Sequence, residues 1–406
     1  MLMKINYYNS DKGNIIFPEN LDEVNNKIKN ICKNLQAFNV LNDKTLLEET
    51  IKKVKKFSAS KKFFYVFGTG GSNLGARALI NSDPNILDSK IYFIDNIDPI
   101  FFEKLLKNID LETSGFIVIS KSGETAETLS QLGCLIQLAN EKNKISEFYQ
   151  NCLIITEFKN SPLFNIAKKN NCFLLEHNKN IGGRYSIFTN VAIVPAIIAG
   201  IDVKAFYKGG IEIVNNFEDY DLFNLGLLFK FQKKTNYSLN VVMTYSDSLK
   251  YFGKWYLQLW AESIGKNKKG VTAIHSVGTT DQHSQLQLYL DGPKDKFFTF
   301  ITTNHSNLGM QINNQIMEEQ NIKYLSNIKM GDLMQAEQQA IIDTFNNLNF
   351  NFRNIHIPKI DTYSIGSLFA TSIIETIAAC IYFEADPFNQ PSVEQGKRLT
   401  KDYLSR

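Results

Sequence analysis

Phe116-Ile-Val-Ile-Ser-Lys-Ser-Gly-Glu-Thr-Ala-Glu-Thr-Leu129 is the stretch of the chain that decides its fold. The first four residues are apolar and predict a buried strand, and the residues after Thr125 follow a helical pattern. A strand that turns through hydroxyls and a glycine into a helix presents free backbone N–H groups and the positive end of a helix dipole. Such an end binds anions, above all phosphate. The stretch therefore predicts a phosphate site, although an ordinary helix cap with exposed serines would show the same pattern.

The side chains of this turn suit a phosphate. Gly123 lets the backbone approach a ligand closely, and hydroxyl groups donate to phosphate oxygens. The hydroxyls belong to Ser120, Ser122 and Thr125. The carboxylates of Glu124 and Glu127 oppose an anion unless they point away from it.

Short apolar runs separated by helical patterns predict an α/β protein with parallel, doubly wound sheets. The runs are 63–67, 91–94, 116–119, 152–156 and 173–175 in the first half, and 239–245, 271–274, 297–302 and 353–358 in the second. Ligands of such sheets lie at the carboxyl ends of the strands, where the strand order reverses. Because the alternation restarts near residues 200–210, we expect two similar domains.

The domain boundaries follow from these patterns and from a chain length that fits two or three domains. We predict an N-terminal helical arm over 1–35, a first domain over 36–205 and a second over 206–385. A C-terminal helical segment over 386–406 completes the chain, because Asp386-Pro-Phe-Asn-Gln-Pro391 breaks the long apolar helix before it.

Composition excludes several classes of protein. The net charge is only +3, and no basic run is interleaved with aromatic residues, so we expect no nucleic-acid partner. The longest apolar run, 187–201, is interrupted by Asn190 and Pro195 and is shorter than the roughly 20 residues of a membrane span, so it predicts a buried helix. The 5 cysteines are scattered without a C-x-x-C pair. Together with an N-terminus that lacks a signal-peptide pattern, this predicts a cytoplasmic protein without a zinc site.

A second loop at a strand end is rich in glycine. Gly68-Thr-Gly-Gly-Ser-Asn-Leu-Gly75 follows the first predicted strand, but Asn73 occupies the place of the third glycine in a dinucleotide fingerprint. Asp95 ends the next strand, as dinucleotide binding requires, so a nicotinamide site stays an alternative. A sugar-phosphate loop that uses the N–H groups near Gly71 and Ser72 fits better. The chain has no G-x-x-x-x-G-K-[ST] motif for a nucleoside triphosphate.

Two charged residues could each contribute to catalysis. Arg184 follows Gly182 and Gly183, which let a guanidinium lie close to a ligand and stabilise an oxyanion. Glu262 shares a helix face with Trp255, and a carboxyl group among large apolar side chains is a better base at neutral pH. A structural ion pair for Arg184 and a solvated acid for Glu262 are the open alternatives.

Two further residues have plainer interpretations when each is taken alone. His283 follows a polar turn and enters residues 284–290, whose pattern allows a strand or a helix. A histidine changes charge near neutral pH and can shuttle protons, but a lone histidine is more often structural. Lys397 ends Gln390-Pro-Ser-Val-Glu-Gln-Gly-Lys397 and could equally be a surface lysine near the C-terminus.

Six short motifs occur in a single order along residues 65–397 and together resemble the glucose-6-phosphate isomerase family. They are Gly70-Gly-Ser-Asn-Leu-Gly75, Ser120-Lys-Ser-Gly-Glu-Thr-Ala-Glu-Thr128, Gly182-Gly-Arg-Tyr-Ser-Ile187, Ala261-Glu-Ser-Ile-Gly-Lys266, Thr280-Asp-Gln-His-Ser284 and Gln390-Pro-Ser-Val-Glu-Gln-Gly-Lys397. The resemblance implies two stacked sugar isomerase domains, flavodoxin-like with three α/β/α layers. It also implies a homodimer without metal or organic cofactor that interconverts glucose 6-phosphate and fructose 6-phosphate through a cis-enediolate, in glycolysis and gluconeogenesis.

The same resemblance assigns roles to residues. Glu262 would move the proton between C1 and C2, and Arg184 would stabilise the enediolate. Lys397 and a His283 that reaches the site from the partner subunit would help to open the sugar ring. The 6-phosphate would be held by Ser120, Ser122 and Thr125, with Lys121 alongside, and the sugar would be contacted by Gly71, Ser72 and Gln390.

The chain departs from the family at two places. Gly123 and Glu124 replace a Phe-Thr pair that the family's phosphate motif often carries, and the sequence stops soon after Lys397. The first difference leaves mannose 6-phosphate, or both hexose phosphates, as alternative substrates. Two other classes of protein stay open as alternatives. The first is a non-catalytic regulator that binds a sugar phosphate, and the second is a dehydrogenase.

Overall fold

The computed structural model describes residues 3–9, 15–86, 90–232 and 237–406, so 1–2 and 10–14 of the predicted N-terminal arm lie outside the described residues. The first half of the chain contains β1 Lys4–Tyr8, α1 Leu21–Lys33, α2 Gln36–Asn39, α3 Lys44–Ser58, β2 Phe63–Phe67, α4 Leu74–Asn81, β3 Ile91–Ile94, α5 Pro99–Asn108, β4 Ser114–Ile119, α6 Ala126–Glu141, α7 Ile145–Gln150, β5 Cys152–Thr156, α8 Pro162–Lys169, β6 Phe173–Glu176 and α9 Asn190–Ala199. The second half contains α10 Val203–Asn216, α11 Asn224–Phe231, β7 Leu239–Thr244, α12 Lys250–Ile264, β8 Thr272–Val277, α13 Leu286–Asp291, β9 Lys296–Thr303, α14 Asn314–Glu319, α15 Met330–Asn347, β10 Phe352–Ile357, α16 Thr362–Tyr382 and α17 Glu394–Leu404.

The first sheet has the predicted doubly wound form. Its order is β3-β2-β4-β5-β6, and every neighbouring pair is parallel. The strands are mostly apolar because helices cover both faces, as in most parallel sheets. Since Phe67 pairs with Val118, the chain leaves β2 and β4 at neighbouring points of the same edge. The glycine-rich loop and the predicted phosphate turn therefore lie side by side.

In the second sheet, β8-β7-β9-β10 repeats the order of β3-β2-β4-β5 in the first. The fifth strand of the second sheet was not predicted from the sequence. The full order is β1-β10-β9-β7-β8, and β1 pairs antiparallel with β10 while the other pairs are parallel. The prediction of a helical arm was thus wrong for Lys4–Tyr8, because the partner of this short edge strand lies at the other end of the chain. Tyr8 stacks on Phe352 with ring centroids 4.5 Å apart.

Helix α16 forms the centre of the larger core. It packs against α10, α11 and α12, and its side chains are buried along almost the whole length. By length and composition it could cross a membrane, but 94% of its apolar stretch is buried inside the protein. Its composition is therefore explained by its place among the helices of the second sheet.

The structure refines two local predictions and leaves the domain boundaries open. The apolar run 187–201 is not one helix, because a 3-10 helix, Gly183–Phe188, precedes α9 and the Thr189 hydroxyl caps its start. Residues 286–291 take the helical alternative, as α13. Helix α10 runs through position 205/206, so the division into domains stays a prediction.

Candidate active site

The turn after β4 is braced by its own hydroxyls. Ser120 is 1% exposed, its Oγ lies 2.8 Å from the Thr125 Oγ1, and it accepts a hydrogen bond from the Gly123 N–H at 3.2 Å. The Ser122 Oγ accepts the N–H of Glu124 at 3.1 Å. Helix α6 then begins directly after Thr125. The sequence prediction of a strand–turn–helix corner is confirmed, with Ser120 acting as an internal support of the turn.

The segment after β5 forms backbone hydrogen bonds with this corner. The Lys121 carbonyl accepts the Glu157 N–H at 3.2 Å, and the Gly123 carbonyl accepts the Leu163 N–H at 3.2 Å. These two hydrogen bonds hold the backbone of the turn against the segment that follows β5. The Lys121 ammonium lies 3.9 Å from the Glu157 carboxylate, and burial lowers the pKa of Lys121.

A buried polar cluster that the sequence analysis missed underlies Gly123. An added Cβ on Gly123 would lie 2.2 Å from the Ser161 Oγ and 3.1 Å from the Thr156 Oγ1. His177, at the end of β6, is also buried, and burial lowers its pKa to about 4. The imidazole is therefore neutral and adds no charge beside the corner. Single serines and threonines after strands give no sequence signal of this arrangement.

Replacement of Gly123 by alanine should damage phosphate binding selectively. Gly123 has a φ of +71°, which L side chains adopt at a cost of about 1–2 kcal/mol, and the new methyl group would clash with Ser161. We expect Gly123→Ala to raise KM for a sugar phosphate by about tenfold or more. The matched control is Gly133→Ala in α6, where an added Cβ meets nothing within 4 Å. Equal KM values for the two variants would show that the corner does not hold the phosphate.

The glycine-rich loop packs on the backbone that carries Arg184. A Cβ on Gly71 would lie 2.2 Å from the Gly183 carbonyl carbon, so only glycine permits this approach. Gly70 has a φ of +52°, and its missing Cβ makes room for the Gln258 amide. Asn73 is completely buried, and neither atom of its amide has a hydrogen-bond partner among the described residues. The loop thus lies between the strand–turn–helix corner after β4 and the charged groups around Arg184.

Arg184 is the centre of the candidate site. Its side chain is 1% exposed, and its Nη1 lies 3.2 Å from the Glu262 Oε2. The same nitrogen donates to the Gln390 side chain, while Nη2 donates to the carbonyls of Pro387 at 2.6 Å and Asn389 at 3.1 Å. The guanidinium therefore joins α12 to the segment that follows α16.

Glu262 combines access with fixed orientation. Its side chain is 31% exposed, and its Oε1 accepts a hydrogen bond from the Gln258 Nε2 at 2.8 Å. Lys266 does not neutralise the carboxylate, because its Nζ donates to the backbone carbonyl of Glu262 at 2.8 Å. Gln258 is a site residue that sequence reasoning missed. Its spacing of four residues from Glu262, on one helix face, was the available signal.

The structure does not bring the last two predicted residues into this cluster. His283 is exposed in the turn after β8, and among the described residues no hydrogen bond or ion pair joins its side chain to Glu262 or Arg184. Lys397 lies on the exposed helix α17, where its Nζ is 2.7 Å from the Glu394 carboxylate. Their proposed roles stay predictions.

The arrangement can move a proton next to an oxyanion. A half-buried carboxylate is fixed beside a buried guanidinium, and the strand–turn–helix corner after β4 lies one loop away. In the described ranges, no group of three histidine, cysteine, aspartate or glutamate side chains gathers so that it could hold a metal ion. These features suit a phosphorylated substrate with an acidic C–H bond.

Comparison with known proteins assigns the family. The family model described as phosphoglucose isomerase matches residues 12–406. The chain belongs to the phosphoglucose isomerase family. A relative from Methanocaldococcus jannaschii, named glucose-6-phosphate isomerase, is 31% identical over 98% of this chain and 98% of its own length.

Solved structures support the fold of this phosphoglucose isomerase family member. A hypothetical protein of Thermus thermophilus aligns with a TM-score of 0.87 and 24% identity, covering 99% of this chain and 100% of that one. A glucose-6-phosphate isomerase of Chlamydia trachomatis gives 0.74 and 22%, covering 89% and 73%. Since the family is one of isomerases, the protein is an enzyme, and the alternatives of a regulator and a dehydrogenase are not favoured.

Proposed function

We propose that the protein is a glucose-6-phosphate isomerase, which interconverts glucose 6-phosphate and fructose 6-phosphate through a cis-enediolate. The observation that carries the proposal is the contact between Glu262 and Arg184, 3.2 Å apart beside the glycine-rich loop. Aldose–ketose isomerisation requires one base next to a carbon acid and one cation at the developing oxyanion. This pair supplies both within the span of a single sugar.

In the proposed mechanism the phosphate is bound away from the reacting carbons. Ser122, Thr125 and Lys121 hold it at the corner after β4, and Ser120 keeps the corner in shape. Binding energy gained there positions C1 and C2 against Glu262. The sugar is contacted by Gly71, Ser72 and Gln390. When it binds, a sugar oxygen would replace the Gln390 side chain as an acceptor for the Arg184 guanidinium.

Glu262 then removes the proton from C2 of the aldose and returns it to C1. The Arg184 guanidinium stabilises the negative charge on the enediolate oxygens while the proton is on the carboxylate. Gln258, which donates to one oxygen of Glu262, leaves the other oxygen to face Arg184 and the substrate. The reaction in the reverse direction uses the same groups.

We further propose a cytoplasmic homodimer in which His283 of the partner subunit completes each site. The proposal is supported by the exposure of His283 and by the lack, among the described residues, of a hydrogen bond or ion pair between its side chain and Glu262. Lys397, on the exposed helix α17, would also take part in opening the sugar ring. Together the two residues would transfer protons during ring opening.

A coupled assay tests the activity. Fructose 6-phosphate is supplied, and formation of glucose 6-phosphate is followed through its oxidation by a dehydrogenase. The expected result is turnover without added metal or nicotinamide beyond that of the coupling enzyme. Mannose 6-phosphate, the C2 epimer of glucose 6-phosphate, is tested in parallel. Higher turnover on mannose 6-phosphate than on glucose 6-phosphate would make the former the substrate.

Mixed dimers test the shared site. A His283→Ala subunit and a Glu262→Gln subunit would each form inactive homodimers, but a hybrid dimer would contain one site with both native residues. After subunit exchange we expect up to about a quarter of the parental activity, because half of the dimers are hybrids and each has one intact site. Recovery of no activity, in a mixture shown by mass spectrometry to contain hybrids, would place His283 in its own subunit's site.

A further inference from the structure

The backbone and side chains around Arg184 contain a chain of hydrogen bonds that the proposed mechanism has not used. The Arg184 Nε donates to the Ser263 Oγ at 2.8 Å. The same oxygen lies 2.9 Å from the Tyr185 hydroxyl, which donates to the Pro387 carbonyl at 2.9 Å. Arg184, Tyr185 and Ser263 are each buried to at least 98%. Bulk water is therefore no substitute for any of these bonds.

The direction of each bond in this chain is fixed by chemistry. A carbonyl oxygen only accepts, so the single hydroxyl hydrogen of Tyr185 is used on Pro387. A guanidinium only donates, so Ser263 accepts from Nε and gives its own hydrogen to the Tyr185 oxygen. All donors and acceptors are satisfied in this one arrangement. Removal of either hydroxyl would leave a buried polar group without a partner.

The chain determines where the rest of the guanidinium points. The hydrogen bond from Nε to Ser263 fixes the orientation of the planar guanidinium. In that orientation Nη1 faces Glu262 and Nη2 faces Pro387. The Pro387 carbonyl thus receives hydrogen bonds from both Arg184 and Tyr185. The Phe388 ring packs on the Tyr185 ring at 5.6 Å, which adds an apolar contact to the same attachment.

We propose that Ser263 and Tyr185 are positioning residues that orient Arg184 toward the reacting oxygens and fix the segment carrying Gln390. The inference rests on the proposed isomerase function, because it needs Arg184 to act on an enediolate. Ser263 follows the proposed base directly in the sequence, so α12 supplies both the base and the support of its cationic partner. Neither residue touches the substrate.

Two conservative variants test the proposal. Ser263→Ala removes the acceptor of Nε, and we expect kcat to fall about tenfold because a hydrogen bond to a charged group is lost. Tyr185→Phe keeps that acceptor and the ring packing, so a smaller loss, about threefold, is expected. The double variant should resemble Ser263→Ala, since residues in one network are not additive.

Binding measurements separate positioning from general damage. A phosphorylated aldonohydroxamate mimics the enediolate, whereas a hexitol 6-phosphate has no carbonyl and reports only ground-state binding. Ser263→Ala should weaken the hydroxamate about as much as it lowers kcat and leave the hexitol phosphate within about twofold. Equal weakening of both ligands, or no change in kcat, would overturn the proposal.

Matched controls exist elsewhere in the chain. Ser372→Ala removes a buried helical hydroxyl that donates to the Leu368 carbonyl at 2.8 Å, and Tyr207→Phe removes one that donates to the Phe188 carbonyl at 2.6 Å. Both should keep the parental ratio of the two affinities. If Ser263→Ala does not fold, the ratio of hydroxamate affinity to hexitol phosphate affinity in Tyr185→Phe tests the proposal by itself. A parent protein without turnover would contradict the proposed function instead.

Discussion

Glu262→Gln is expected to lower kcat by about 10²–10⁴, which corresponds to roughly 3–5 kcal/mol of barrier. Glutamine has the shape of glutamate but cannot accept the proton from C2. Its amide oxygen still accepts a hydrogen bond from Arg184 or Gln258, so the site should keep its form. The loss should appear in kcat, while KM and the affinity for a hexitol 6-phosphate change little.

The decisive measurement is hydrogen exchange. In deuterated water the parent should introduce deuterium at C2 of the sugar phosphate, and Glu262→Gln should not do so above the uncatalysed rate. Glu103→Gln is a suitable control, because Glu103 is an exposed carboxylate on α5 that also pairs with a cation, Lys107, at 2.8 Å. Retention of most of the exchange in Glu262→Gln would mean that another group is the base.

The sheets could be predicted because their strands are nearly continuous apolar runs. Phe116–Ile119 is buried on both faces and is bounded by a polar turn, so composition alone indicates a central parallel strand. The strand Lys4–Tyr8 has neither property. Its residues are partly exposed, and its pairing with Phe352–Ile357 depends on contacts across the length of the chain. Local patterns do not contain that information.

The candidate site was predictable to the extent that its residues belong to compact motifs. Glu262 and Arg184 were selected from short segments, and the structure places them in contact. Three supporting residues lie within or next to the same segments, but glutamine, serine and tyrosine are too common to be selected by residue type. Their importance follows only from geometry, because Gln258 and Ser263 each bond to one of the two charged groups and Tyr185 bonds to Ser263. Within the part of the chain that the structure describes, no hydrogen bond or ion pair holds His283 or Lys397 against these two charged groups.

Disruption of the ion pair between Arg353 and Glu375 should have the largest effect on stability. Both side chains are 1% exposed, and the guanidinium contacts both carboxylate oxygens, with Nη2 3.0 Å from Oε2. The pair joins β10, an interior strand of the second sheet, to α16. We expect Arg353→Met to reduce the free energy of unfolding by about 3–5 kcal/mol, because it leaves a buried carboxylate without a counter-charge.

The double variant Arg353→Met/Glu375→Leu separates the value of the pair from the cost of an orphaned charge. Two apolar side chains of similar volume bury no charge, so most of the lost stability should return, even though the ion pair is gone. The Lys107→Met control breaks an exposed pair on α5 and should cost less than about 1 kcal/mol. Urea titration of five proteins gives the comparison: the parent, Arg353→Met, Glu375→Leu, the double variant and Lys107→Met. If the double variant is as unstable as the sum of its single variants, the pair itself stabilises the fold. Equal stability of Arg353→Met and Lys107→Met would instead mean that water reaches the Glu375 carboxylate when Arg353 is absent, so that α16 excludes water less completely than its burial indicates.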